Sequence, residues 1–185
     1  MSQPKIWRKL AVSEATDHRI FSLRYEQYES PRTGRSLTAT ILEAPDWVNV
    51  IAYTAADECV LIRQYRFGTD SFTLEIPGGM IDAGESPLEA AKRELREETG
   101  YEATGWIELG RVAPNPAFQR NYLYTFLAEG CTLAGAQLQD PGEDIEVTLR
   151  PHREVEGMLA SGEIDHALVV VAFLKLELHR RTQIR

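Results

Sequence analysis

Residues 78–101 read GGMIDAGESPLEAAKRELREETGY, and the fold turns on what this stretch becomes. Ser86-Pro87-Leu88-Glu89 is a capping box: the Ser86 hydroxyl can accept from the Glu89 amide, Glu89 can reach back, and Pro87 stands where a missing N–H costs nothing. A helix therefore begins here. Gly100, free to adopt a left-handed conformation, is the expected stop. With Glu94 as origin and about 100° per residue, Ala91, Leu95 and Leu88 fall between roughly 60° and 120°, the stripe that faces a core. Lys92, Arg96, Glu89 and Arg93 cover roughly 160° to 260°, and Glu97, Glu94 and Glu98 share the arc from roughly 300° through zero to 40°.

Like charges four apart on a helix repel by a few tenths of a kcal/mol, so three carboxylates on one edge call for compensation. Arg93 can pair with Glu97 at i, i+4, which leaves Glu94 and Glu98 facing each other. A solvated acidic edge is one reading. The other is a metal site, because hard divalent cations take carboxylate oxygens together with water and phosphate oxygens. The second reading accounts for the leftover charges better than the first.

The same stretch runs Gly79, five residues, Glu85, seven residues, then Arg93-Glu94-Leu95-Arg96-Glu97-Glu98-Thr99-Gly100-Tyr101. It resembles the Nudix box of the Nudix hydrolases at every fixed position, with Tyr101 in a slot more often aliphatic. The resemblance implies an α+β fold, the Nudix α/β/α sandwich with a mixed sheet, over about residues 45 to 180. It also implies a divalent-metal hydrolase of substrates built as a nucleoside diphosphate linked to another moiety. Position by position, Glu94 and Glu98 resemble the principal metal ligands, with the Gly78 carbonyl as a backbone ligand. Glu97 resembles a ligand or water-orienting group held by Arg93, Glu85 a partly structural group near the metals, and Gly79 and Gly100 structural positions. Mg²⁺ is the expected ion, with Mn²⁺ as a substitute.

Composition sets the frame around this stretch. A chain of 185 residues with 43% hydrophobic content can bury one sizeable core and carry a small appended unit. A net charge of −8 argues against a protein that grips a nucleic-acid backbone, a task that needs clustered Lys and Arg. Cys59 and Cys131 form no CxxC or CxxH pattern and sit in apparent strands, so they read as reduced core residues. The opening MSQPKIWRKL has no apolar h-region, and the longest apolar run, 167–174, is too short to cross a bilayer. The expectation is a cytoplasmic protein that engages neither membrane nor nucleic acid.

Alternation and turn signals divide the remainder. Residues 1–44 read as an N-terminal antiparallel β-meander, with strands at 6–12, 18–29 and 35–43. Three strands alone bury little, so this extension needs a partner surface. Residues 45–185 read as the hydrolase domain. There, WVNVIAYT and CVLIRQYR flank the turn AADE as a hairpin, SFTLEIP is a further strand, and later strands lie near 107–112, 122–127 and 145–149. Two more helices are expected, one at 151–161 closed by Gly162 and one from about 165 to 179.

Three features outside the box resemble the ADP-ribose and nucleoside-diphosphate-sugar pyrophosphatase branch. The N-terminal extension exchanges between subunits in that branch, which implies a homodimer. Arg66, in LIRQYR, matches a position that commonly contacts substrate phosphate; Arg63 is a substrate candidate or a surface strand charge. Pro116 stands sixteen residues beyond Gly100, a spacing associated with ADP-ribose pyrophosphatases. The neighbouring Gln119-Arg120-Asn121 departs from that pattern, which usually has an acidic residue there, and leaves room for GDP-mannose or other NDP-sugars. The loop QDPGEDIEV supplies Glu143 as candidate general base, with Glu146 on the following strand as a structural residue. Trp47, Tyr28 and Phe118 offer aromatic faces for a base or for packing. His152, His166 and His179 fall at helix ends or surfaces and read as solvated. The main expectation is hydrolysis of an NDP-sugar; a nucleotide sensor that does not hydrolyse, and a hydrolase of nucleoside triphosphates or dinucleoside polyphosphates, are the alternatives.

Overall fold

The expected meander forms β1 (Arg8–Val12), β2 (Thr16–Asp17), β3 (Ser22–Glu29) and β4 (Ser36–Glu43), with β1, β2 and β4 all antiparallel to β3. The chain is described by a computed structural model over residues 3–139, 142 and 144–183. Its backbone divides into two compact units. One holds the chain up to Pro45 together with Ala113–Tyr122, and the other holds Asp46–Val112 and the chain from Leu123 onward.

The second unit contains β5 (Trp47–Thr54), β6 (Glu58–Arg66), β7 (Ser71–Glu75), β8 (Gly78–Met80), α1 (Pro87–Thr99), β9 (Tyr101–Glu102) and β10 (Gly105–Val112). In the first unit β11 (Gln119–Arg120) runs parallel to β4. Back in the second unit come β12 (Leu123–Leu133), β13 (Glu146–Pro151), α2 (His152–Ser161) and α3 (Ala167–Gln183). The main sheet runs β10-β12-β5-β6-β13, with β12 parallel to β5 and the other neighbours antiparallel. β7 pairs with β6 and β8 with β5.

Side chains alternate across a strand, and here each face of β5 finds its own core. Val48, Val50 and Ala52 pack with Ala90, Ala91 and Leu95 of α1, and Ile51 and Tyr53 pack with Val155 of α2 and Val169, Phe173 and Leu176 of α3. The sheet is therefore sandwiched between α1 on one face and α2 with α3 on the other, the α+β layering expected from the sequence.

α1 starts and stops where its chemistry directs. The Glu89 N–H donates to Ser86 Oγ at 3.3 Å, and the Ser86 N–H donates to Glu89 Oε2 at 2.8 Å. Gly100 has φ +76°, and its N–H donates to Arg96 O at 2.9 Å. A β-carbon there would also fall 2.3 Å from Gly135 O, so the position is closed to other residues on two counts.

Cys59 and Cys131 are both buried free thiols. Burial pushes the Cys131 thiol up to about 11, which leaves it a poor nucleophile at neutral pH. Among the described residues no helix is long and apolar enough to cross a membrane.

Candidate active site

β8 is the element that the sequence conceals, because Gly78 and Gly79 carry no strand propensity. It forms by pairing with β5, Asn49 with Gly78 and Val48 with Gly79, which lays the glycine turn beside α1. The approach is close. A β-carbon on Gly78 would fall 2.3 Å from Val48 O, and one on Gly79 would fall 2.3 Å from Glu94 Oε1 and 2.8 Å from Glu94 Oε2. The second glycine is thus the space in which the Glu94 carboxylate lies.

The acidic edge of α1 turns inward rather than to water: Glu94 is 8% and Glu98 3% exposed, while Glu97 is half-buried. The Gly78 N–H donates to Glu98 Oε2 at 2.8 Å. Arg93 organises the rest. Its Nε and Nη2 donate to the two oxygens of Glu85 at 3.0 Å each, Nη1 donates to Glu94 Oε1 at 2.8 Å and Glu97 Oε2 at 3.2 Å, and Nη2 also donates to Met80 O at 2.9 Å. One guanidinium therefore fastens three glutamates and the glycine turn together. Arg93 holds the Glu85 carboxyl below its usual value, against an opposing contribution from burial. Glu85, chiefly, raises the Arg93 pKa further still.

A second constellation lies in the same unit. Arg66 Nε and Nη2 each donate to a Glu75 oxygen at 2.7 Å, Thr73 Oγ1 donates to Glu75 Oε1 at 2.6 Å, and His166 Nε2 stands 4.0 Å from Glu75 Oε2. Burial pushes the Glu75 carboxyl up, yet the Arg66 and Thr73 hydrogen bonds outweigh it and hold the group low. The Arg66 guanidinium is raised by Glu75, with a further electrostatic contribution from Glu98, which ties this pair to the acidic edge. Glu75 and Thr73 were not singled out from the sequence, and His166 was read there only as a solvated residue. The available signal was Thr73 and Glu75 two apart on one strand face, directly before Pro77-Gly78-Gly79.

The other candidates separate. Arg63 Nη1 donates to Glu146 Oε2 at 3.4 Å across paired strands, and its guanidinium lies 4.4 Å from the Phe72 ring centre. Trp47 is half-buried at the start of β5, in register with Met80 and Leu123. Pro116 and Phe118 belong to the first unit, both exposed, with Phe118 O accepting from the Leu42 N–H at 2.9 Å. Tyr28 donates its hydroxyl proton to Glu26 in that unit. Glu143 lies outside the described residues. The expectation of solvated histidines needs correction: His152 is half-buried, with Nδ1 2.6 Å from Tyr53 Oη and Nε2 2.6 Å from Arg180 Nη1, and His166 faces Glu75.

Among the described residues no three His, Cys, Asp or Glu side chains converge as a ready-made metal site. Arg93 draws Glu94 and Glu97 to itself, and the Gly78 amide takes Glu98. The donor chemistry nevertheless fits a hard cation: oxygen-only side chains on one helical edge, with a glycine cradle against one of them.

A model of the NUDIX domain matches residues 45–173, the greater part of the chain and all of α1 with its glycine turn. The chain belongs to the NUDIX family. Among its relatives, an ADP-ribose pyrophosphatase of Bacillus subtilis (strain 168) is 27% identical over 177 residues, covering 95% of each chain. A methanol dehydrogenase activator of Bacillus methanolicus is 33% identical over 135 residues, 71% of this chain and 72% of that one. A crystal structure of an ADP compounds hydrolase superposes with a TM-score of 0.86 at 24% identity, over 99% of this chain and 98% of the other. The last likeness concerns the fold alone, over nearly every residue.

Proposed function

We propose that this NUDIX protein hydrolyses the diphosphate bond of a nucleoside diphosphate sugar to a nucleoside monophosphate and a sugar phosphate. ADP-ribose is the first candidate substrate and GDP-mannose or another NDP-sugar the next. The observation that carries the reading is the inward-turned acidic edge of α1, fastened by Arg93 and the Gly78 amide against the glycine turn. The likeness to the B. subtilis ADP-ribose pyrophosphatase over almost the full chain supports the substrate class.

Glu94, Glu97, Glu98 and the Gly78 carbonyl are the groups that would hold a divalent cation, Mg²⁺ or in its place Mn²⁺. Such an ion, when bound, lowers the pKa of water and neutralises phosphate oxygens. Arg93 orients the carboxylates and competes with a cation for Glu94 and Glu97. Arg66, its Nε and Nη2 fastened to Glu75, has Nη1 outside that pair as the donor for a phosphate oxygen. Arg63, whose Nη1 reaches Glu146 and whose guanidinium lies over the Phe72 ring, is the second phosphate candidate. In the reaction a water oxygen bonds to phosphorus, the bridging P–O bond breaks, and the water proton passes to a carboxylate, for which Glu143 is the candidate. Trp47 and Phe118 are candidates to stack on the base, and Pro116 shapes the segment that carries Phe118.

The reading includes a cytoplasmic homodimer built through residues 1–44. β1 is exposed along its whole length, and Trp7, Leu10, Val12, Tyr25 and Leu37 leave apolar area in water. The free thiols agree with a reducing compartment.

The test is incubation of the full-length protein with ADP-ribose, GDP-mannose and UDP-glucose, with and without excess Mg²⁺. Monophosphate and sugar phosphate released in equal amounts only with metal is the expected result. No metal-dependent monophosphate from any member ends the reading, and nucleotide that binds but is recovered intact points to a sensor instead.

A further inference from the structure

We propose that His152 is a pH-sensitive latch on the end of α3: the neutral ring accepts a hydrogen bond from Arg180 and ties that helix to the sheet, whereas the protonated ring turns to Glu156 and releases it. The latch lies wholly within the second unit, among α2, α3 and the face of β5 that packs against them, and it is independent of any substrate.

A guanidinium carries only donors, so the 2.6 Å between Arg180 Nη1 and His152 Nε2 requires a lone pair on Nε2. The one proton of the neutral ring then sits on Nδ1, 2.6 Å from Tyr53 Oη, which accepts it. Tyr53 is 5% exposed and bonds onward to the buried Cys59. Burial is the chief cause that raises both the Tyr53 hydroxyl and the Cys59 thiol, so both keep their protons near neutral pH. The imidazole is therefore the member of this chain that changes charge. Around it, Arg180 faces it from α3, and Glu156 Oε1 stands 3.6 Å from Nε2, one turn along α2. Asp57, in the turn before β6, accepts the His152 N–H on its carbonyl at 3.1 Å and adds negative charge near Tyr53. Glu58 of β6 stands opposite Pro151, Arg150 of β13 donates to Leu149 O, and Arg153 and Glu154 are exposed on α2.

A second proton can go only to Nε2. It sets the N–H of a cationic ring against a guanidinium N–H, two like charges with no acceptor between them, and it gives Glu156 a charge-assisted donor. Arg180 and Glu156 are thus mutually exclusive partners of one nitrogen. The consequence falls on the end of α3. Val169, Ala172, Phe173 and Leu176 seat the helix in the core, and among the described residues none of α3 beyond Leu176 is buried. The Arg181–Glu177 pair lies within the helix and fastens it to nothing else. Arg180 ties the last turns to the rest of the unit, through His152 Nε2 and through its place over the Tyr53 ring, 5.6 Å from the centre. Few buried contacts and one polar tie are what let a helix end open locally while the fold stays intact.

The test is hydrogen exchange by mass spectrometry on the full chain, corrected for the intrinsic pH dependence of exchange, at about pH 8 and about pH 5.5, either side of the range in which imidazoles titrate. Wild type is expected to lose protection about tenfold across 177–183 on going to the acid condition, with α1 unchanged. His152→Gln, which keeps an acceptor for Arg180 and has no proton to gain, is expected to keep that protection at both. Arg180→Gln is expected to lack it at both. A wild-type tail equally protected in the two conditions overturns the proposal, as does a His152→Gln tail that loosens in acid as far as wild type. The ring itself gives a reading that needs no variant: imidazole ¹⁵N shifts in the wild-type protein are expected to show, at the higher pH, a proton on Nδ1 and a bare Nε2. The opposite tautomer contradicts the latch.

Discussion

Gly79 and Glu94 are so close that a β-carbon on the glycine falls 2.3 Å from Glu94 Oε1. Two groups usually considered separately, a turn glycine and a helical carboxylate, are one steric unit. Only hydrogen at Gly79 lets the carboxylate lie against the turn while Arg93 Nη1 donates to that same oxygen at 2.8 Å.

Gly79→Ala follows directly. The colliding atom is the end of a side chain and not backbone, so the carboxylate gives way while the fold survives. Activity is expected to drop on the order of tenfold to a hundredfold, the scale seen when groups supporting a metal ligand are disturbed. Turnover measured beside a thermal melt checks it. A melting temperature that collapses, or activity that stays normal, contradicts it.

Glu98→Gln separates charge from packing. The glutamine keeps an oxygen that can accept from the Gly78 N–H, as Glu98 Oε2 does at 2.8 Å, and keeps the shape of a residue 3% exposed. The fold is expected to stay intact while kcat falls on the order of a hundredfold or more, because the charge that serves a cation is gone. Near-normal kcat in a folded variant removes Glu98 from the ligand set.

Glu85→Gln carries a pH signature. Arg93 depresses the folded-state pKa of Glu85, so the stabilisation is fully present above the unfolded value and is lost as pH falls through the folded one. At neutral pH the variant is expected to be less stable by about 1–2 kcal/mol, a melting temperature lower by roughly 2–8 °C. The gap to wild type should close as pH drops below about 4. An offset that stays constant from neutral to acid pH refutes the assignment.

Removing residues 1–44 takes away β1 to β4 and their exposed apolar side chains, together with the strand that pairs with β11. By light scattering the full chain is expected to be a dimer and the remaining chain a monomer. A dimer that survives the deletion relocates the interface.

The parts legible in the sequence are those whose causes are local. Ser86, Glu89 and Gly100 mark the ends of α1 within a single stretch, and the alternation of Val48, Val50 and Ala52 against Ile51 and Tyr53 announces a strand buried on both faces. The crowding of Glu94, Glu97 and Glu98 was also readable, because helical geometry alone puts them on one edge. What escaped is set by distant partners. β8 exists because β5 offers it hydrogen bonds, not because two glycines favour a strand. The parallel pairing of β12 with β5, the burial of Glu26 by Arg120, and the approach of His166 to Glu75 each join residues far apart in the chain. No periodicity encodes such meetings.

The central claim is that the inner edge of α1 holds divalent cations against a diphosphate. Its most direct test is anomalous scattering from a crystal soaked in Mn²⁺ and a non-hydrolysable ADP-ribose analogue. The expected result is a manganese peak within about 2.2 Å of carboxylate oxygens of Glu94 and Glu98, beside the analogue's phosphates. An ordered analogue with no anomalous peak at that edge, Arg93 still clasping Glu94 and Glu97, contradicts the claim.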